Sequence, residues 1–87
     1  MALNTKKFAV ALKNLRREKG LSQLELAEYM MVSRSTISMW ELGSRLPDVE
    51  MLDHLADCLN VDIQYFLDAI LDKNKPEPVI DIEKFKL

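Results

Sequence analysis

Cysteine occurs once, at position 58, so no disulfide can close within the chain and a reducing compartment is the expected setting. Glycine occurs twice and proline three times in 87 residues. With 48% hydrophobic and 30% charged residues, that scarcity is the composition of one soluble, mostly helical domain. Long apolar runs are missing too. None approaches the roughly 18 residues of a membrane span, and "MALNTKKFAV" lacks the length and cleavage pattern of a signal peptide. A cytoplasmic location without membrane contact is therefore expected. Folding at this size buries roughly 60 to 65% of the unfolded surface, which leaves little interior for a deep catalytic cleft. A dimer contact would add to so small a core.

The residues that carry chemistry are nearly absent. His54 is the one histidine, and nothing in the sequence pairs with it for acid–base work. With Cys58 at i, i+4 it offers two metal ligands where a structural site usually needs four. Cys58 lies beside Leu59 in an apolar stripe and reads as a structural thiol. No glycine-rich phosphate loop or nucleophile elbow is present. Neither an enzyme, a metal nor a cofactor is expected.

What the chain does have is an uneven charge. The formal total is −2, yet residues 1–46 hold eight Lys and Arg against four Glu, and residues 47–87 hold four Lys against ten Asp and Glu. A basic half beside an acidic half suits a protein that turns one face to a polyanion; ordinary solvated surface is the alternative reading.

Periodicity is helical almost throughout. A first helix opens on Asn4 or Thr5, carries Phe8, Ala11, Leu12 and Leu15 on one face, and stops at Gly20. "SQLE", from Ser22 to Glu25, is a capping box that starts a short second helix with Leu26, Ala27 and Met30 inward. Ser33 caps a third, with Ile37, Trp40 and Glu41 on one face and Gly43 as its stop. Asp48 caps a fourth, with Met51 or Leu52, Leu55, Ala56 and Leu59 apolar, and Asn60 ends it. Asp62 caps a fifth, with Ile63, Phe66, Leu67, Ile70 and Leu71 apolar. Residues 1–72 thus form one all-α domain. After Asp72, "KNKPEP" cannot prolong a helix, and "VIDIEKFKL" alternates in part, so residues 73–87 read as an extended or disordered tail that dimerises or binds a partner.

Two short capped helices joined by a three- or four-residue turn have the spacing of a helix-turn-helix, here about residues 23–42. At roughly 100° per residue, Ser35, Met39 and Leu42 point away from the Ile37, Trp40 and Glu41 face, with Arg34 and Ser38 at the flanks. An outward face of small polar groups, one guanidinium and one thioether can approach base edges closely. An ordinary surface helix would carry more Glu and Lys than "SRSTIS" does.

The stretch "LRREKGLSQLELAEYMMVSRSTISMWELGSRLPD" resembles the phage repressor and Cro type of helix-turn-helix domain, also called the xenobiotic-response-element family. The likeness runs from about Phe8 to Leu71, through Gly20 before "LSQ", Ala27, "VS", Ile37, "WE", Gly43 and Pro47. It implies a five-helix lambda-repressor-like fold whose third helix enters the major groove of double-stranded DNA, usually in a symmetric dimer. By position it implies phosphate contacts from Gln23 and Arg45, with Arg17 or Lys13 on the rim. Arg34, Ser35, Ser38 and Met39 would face bases, while Ser33 and Thr36 would lie near the sugar-phosphate backbone. It also implies an ion pair between Arg16 and Glu41.

Three positions depart from the family pattern. Met31 stands where glycine commonly ends the second helix, implying either a strained left-handed residue or a differently built turn. Met39 replaces a polar base-reading residue and either touches a thymine methyl or packs against protein. Leu24 replaces a charged residue and marks a candidate contact. The function expected is a sequence-specific transcriptional regulator, a repressor acting as a homodimer on a pseudo-palindromic operator. The competing readings are an antitoxin, whose tail after Pro78 holds the toxin, and a protein-interaction module that no longer binds DNA.

Overall fold

Five helices succeed one another in the computed structural model, which describes residues 3–72: α1 (Thr5–Glu18), α2 (Gln23–Met30), α3 (Arg34–Glu41), α4 (Val49–Cys58) and α5 (Ile63–Leu71). No strand occurs among the described residues. The expectations for residues 73–87 lie outside them.

Each helix begins on a side chain that satisfies one of its free amides. Asn4 Oδ1 accepts from Lys7 N at 2.9 Å, which settles the choice between Asn4 and Thr5. Ser22 and Glu25 make both bonds of the capping box, at 3.0 and 2.9 Å. Asp48 caps α4 through Met51 N, and Asp62 caps α5 through Gln64 N, each at 2.8 Å. Helix ends are equally regular. Gly20 and Gly43 take φ of 73° and 76°, and in both cases the next residue's amide reaches back to a carbonyl five residues earlier. Asn60 does the same for α4 with φ 55°.

Met31 ends α2 in that same left-handed conformation, φ 58° and ψ 40°, with Val32 N bonded to Ala27 O at 3.0 Å. The turn is not differently built. An L-residue occupies the glycine geometry, and its side chain is 90% exposed, so nothing packs against it in compensation.

Inward faces meet in one core. Phe8, Leu12 and Leu15 of α1 join Leu26 and Met30 of α2, Ile37 and Trp40 of α3, Leu55 and Leu59 of α4, and Phe66 and Ile70 of α5. Leu52 takes the inner position of α4, and Met51 packs at its edge. Ala9 is buried and Ala11 only half-buried, because the face of α1 is centred on Phe8, whose ring lies 5.5 Å from that of Phe66. Ile63 and Leu67 are half-buried against the core and Leu71 is exposed, so α5 is divided between core and surface. Its end is tied to the start of the domain: Asn4 N donates to Ile70 O at 2.7 Å, and Lys7 pairs with Asp72.

One polar element interrupts the apolar interior. Arg16 and Glu41 have side chains only 9% and 3% exposed, and they meet through two parallel bonds, Nε to Oε2 at 2.6 Å and Nη2 to Oε1 at 2.9 Å. A third guanidinium hydrogen, on Nη1, goes to Leu21 O at 2.7 Å. The hydrogen bonds to Glu41 raise the Arg16 pKa, outweighing the cost of burial, so the guanidinium stays charged wherever the protein is folded.

The turn and the ion pair can each be tested by melting. Met31→Gly should stabilise by about 0.5 to 1 kcal/mol, raising Tm by about 2 to 6 °C; a thermal melt no higher than wild type would show that the left-handed methionine is unstrained. Glu41→Ala should cost about 3 to 5 kcal/mol by leaving Arg16 buried without a partner, whereas the double replacement Arg16→Met with Glu41→Leu should retain most of the stability. A Glu41→Ala melt within about 2 to 3 °C of wild type would sink this account.

Candidate nucleic-acid interface

The third helix is eight residues long, too short to hold itself in water, so its position depends on what lies behind it. Ile37 and Trp40 are buried on the inner side, and Glu41 is fixed by Arg16. Gln23, at the first position of α2, joins them: its Nε2 donates to Glu41 Oε1 at 3.2 Å. Three helices thereby converge on one carboxylate.

At the start of α3, Ser33 Oγ accepts from Thr36 N at 3.1 Å and lies 2.9 Å from Thr36 Oγ1. The two hydroxyls thus hold the first turn closed while each keeps hydrogen-bonding capacity for another group. Arg34 and Ser35 stand exposed beyond them, and Ser38 and Met39 are half-buried. These four residues together line one shallow surface depression. The outward row expected from helical geometry is therefore present as a continuous surface.

Met39 also borders a second notch, between α3 and the start of α4, with Thr36, Arg45, Pro47 and Met51. Arg45 is exposed at this edge. Of the expected site residues, the structure joins Arg34, Ser35, Ser38 and Met39 in one surface and Thr36 and Arg45 at its margin. Lys13 and Arg17 are exposed on α1 and border neither depression. Leu42, at the C-terminal end of α3, is 74% exposed and extends the row begun by Ser35 and Met39. Leu24 is exposed on α2, away from these two depressions.

Two features escaped the residue pattern. The Leu21 carbonyl bonded to Arg16 is a backbone group and leaves no mark in composition. The attachment of Gln23 to Glu41 depends on a contact 18 positions apart, which periodicity within one helix does not reveal.

Cys58 is half-buried against the core, burial pushes its thiol pKa up, and Asp57 adds to the effect. His54 is exposed with Nε2 4.0 Å from the Cys58 sulfur. Among the described residues no cluster of three or more His, Cys, Asp or Glu is arranged to hold a metal. No helix among them is long and apolar enough to cross a membrane. Glu25, by contrast, is held below the usual carboxylate range, first by the Ser22 backbone amide and then by its hydroxyl, which keeps the capping box charged and closed at neutral pH.

The helix-turn-helix family model HTH_3 matches residues 12–66, a span that includes both depressions and the three-helix junction. An uncharacterized HTH-type transcriptional regulator of Bacillus subtilis, YqaE, is 35% identical over 60 residues, covering 69% of this chain and 52% of that protein. The ImmF control region 10 kDa protein of Bacillus phage phi105 is 36% identical over 61 residues, covering 70% of this chain and 68% of that one. Among solved structures, the restriction-modification controller protein C.AhdI from Aeromonas hydrophila superposes with a TM-score of 0.68 at 32% identity, covering 71% of this chain and 94% of that one. The chain spans about half the length of the first of these curated relatives. With five helices in this order, a doubly capped helix-turn-helix and the matched span, the chain belongs to the phage repressor and Cro type of helix-turn-helix family of DNA-binding transcriptional regulators.

Proposed function

We propose that the protein is a transcriptional repressor that binds a pseudo-palindromic operator as a homodimer in the cytoplasm, without catalysing a reaction. The observation that carries this reading is the continuous outward row of Arg34, Ser35, Ser38 and Met39, set on a helix locked from behind by Glu41. Short polar side chains let the helix backbone approach the floor of the major groove. Arg34 grips a guanine at O6 and N7, and Met39 lies against a thymine methyl. Gln23 has a second amide hydrogen beyond the one given to Glu41, and donates it to a phosphate. Arg45 makes a phosphate contact at the far edge, and Ser33 and Thr36 meet the sugar-phosphate backbone between them.

Two such helices, about 34 Å apart in a symmetric dimer, read successive major grooves, and a site overlapping a promoter excludes polymerase. The second copy packs on the flank of α5 that carries Ile63, Leu67 and Leu71, a stripe only partly covered by the domain's own core. The relatedness to a phage control-region protein and to a controller protein supports a regulatory role.

Selection from random DNA and subsequent anisotropy titration test the proposal. Wild-type binding should weaken with salt at a slope of about 0.9 per phosphate neutralised. Arg34→Ala should lose about 1 to 3 kcal/mol of preference for guanine at one position of each half-site. Unchanged affinity and preference in that variant would overturn the assignment of Arg34. Failure of the wild type to retain any selected fragment at low salt would overturn the reading as a whole.

A further inference from the structure

Beyond Met39 the outward row of α3 ends on a residue to which no contact has been assigned. Leu42 follows Ser35 by seven positions, Ser38 by four and Met39 by three, so the four share one face of the helix. It is 74% exposed. A single exposed leucine is ordinary on a protein surface and by itself points to no ligand. Leu42 differs in its company, because Met39 stands one turn before it on the same face. The row thus changes from polar at its start, with Arg34 and Ser35, to apolar at its end.

The helix end holds Leu42 in that row. Its amide donates to Ser38 O at 2.9 Å with φ −90° and ψ −9°, so helical geometry continues one residue past Glu41. Gly43 N and Ser44 N then reach back to Trp40 O and Met39 O at 3.2 and 3.0 Å. A Cβ at Gly43 would lie 3.4 Å from Thr5 O. The turn is therefore seated against the start of α1, and Leu42 is left on its outer side.

A leucine side chain neither donates nor accepts a hydrogen bond, so what it recognises on a base pair has to be apolar. In the major groove the base pairs offer one such group, the C5-methyl of thymine. Phosphate is no alternative for it, since phosphate oxygens are met by cations and hydrogen-bond donors. We infer that Leu42 is a base-reading residue, and that with Met39 it makes the far end of the row a sensor of thymine methyls on two neighbouring base pairs. The inference rests on α3 lying in the major groove, as proposed above. Side chains three positions apart are separated by roughly 4.5 Å along a helix, close to the roughly 3.4 Å between successive base pairs, so each meets a methyl on its own pair. The methyl stands out from the base edge, and Ser35 and Ser38 let the helix come near, so a short branched side chain is long enough. Arg34 to Leu42 covers roughly 12 Å, about three to four base pairs. Guanine is thus read at one end of the row through hydrogen bonds, and thymine at the other through burial.

Replacing thymine by deoxyuridine removes the C5-methyl and leaves every hydrogen-bonding group of the pair, so it isolates this contact. In duplexes selected from random DNA, uracil on either strand should weaken wild-type binding at two neighbouring base pairs of the half-site, by about fourfold each, the equivalent of one buried methyl group. Leu42→Ala, a change at an exposed position, should leave Tm within about 2 °C of wild type. It should abolish the difference between thymine and uracil at one of those pairs only, and Met39→Ala should abolish it at the other. A selected half-site without neighbouring thymines, equal wild-type affinity for thymine and uracil duplexes, or a Leu42→Ala loss that is the same for both would overturn the inference while DNA binding stands. Retention of no selected duplex at low salt would instead overturn the reading on which it rests, and the inference with it.

Discussion

A carboxylate on the third helix, held by a guanidinium on the first, is the contact on which the reading surface depends. Ile37 and Trp40 anchor α3 by burial, but burial is non-directional and tolerates small rotations of an eight-residue helix. The parallel bonds from Arg16 to Glu41 have a fixed plane and length, so they select one rotation and one height among those the apolar contacts allow. The same carboxylate receives Gln23, and Leu21 O holds the remaining edge of the guanidinium. The pair contributes little to net stability because both charges leave water to form it. Its contribution is orientation, which a row of short side chains needs, since a serine hydroxyl cannot compensate for a misplaced helix as a long arginine can.

That row also accounts for the charge of the molecule. The row proposed to meet base edges holds one cation, Arg34, beside two serines and a thioether, so most of any attraction to a polyanion would have to come from residues around the row. The excess of basic residues before position 47 would supply that field, while α4 carries Glu50, Asp53 and Asp57 on exposed positions. A total of −2 is compatible with DNA binding because the positive excess lies before position 47 and the negative excess after it.

Most of the framework was legible from residue order. Ser22 with Glu25, Ser33, Asp48 and Asp62 announce helix starts because a side-chain acceptor near a free amide is a local event. Gly20, Gly43 and Asn60 announce ends for an equally local reason. The outward row was legible because the apolar positions of α3 define the opposite side. What was not legible depends on packing between elements: which of Ala9 and Ala11 is buried, which side chain joins the ion pair, and whether Met31 yields to the geometry glycine usually supplies. In that last case the tertiary contacts prevail. Val32 N must reach Ala27 O for α3 to start where it does, and about 1 kcal/mol of backbone strain is small beside the burial of Ile37 and Trp40 that this placement secures.

The fifth helix then has two unequal flanks. On one side Ile63, Leu67 and Leu71 form a continuous apolar stripe without a basic rim, the type of surface that can meet its own copy across a twofold axis. On the other, Val10 and Tyr65 lie between Lys6 and Lys7 on one edge and Asp68 and Ala69 on the other, with Lys7 already paired to Asp72. Because α1 packs on α5 through Phe8 and Phe66 and also carries Arg16, one helix connects the flank of the proposed dimer contact to the ion pair, so that in such a dimer the spacing of the two third helices would be set by one rigid element rather than by a chain of independent joints.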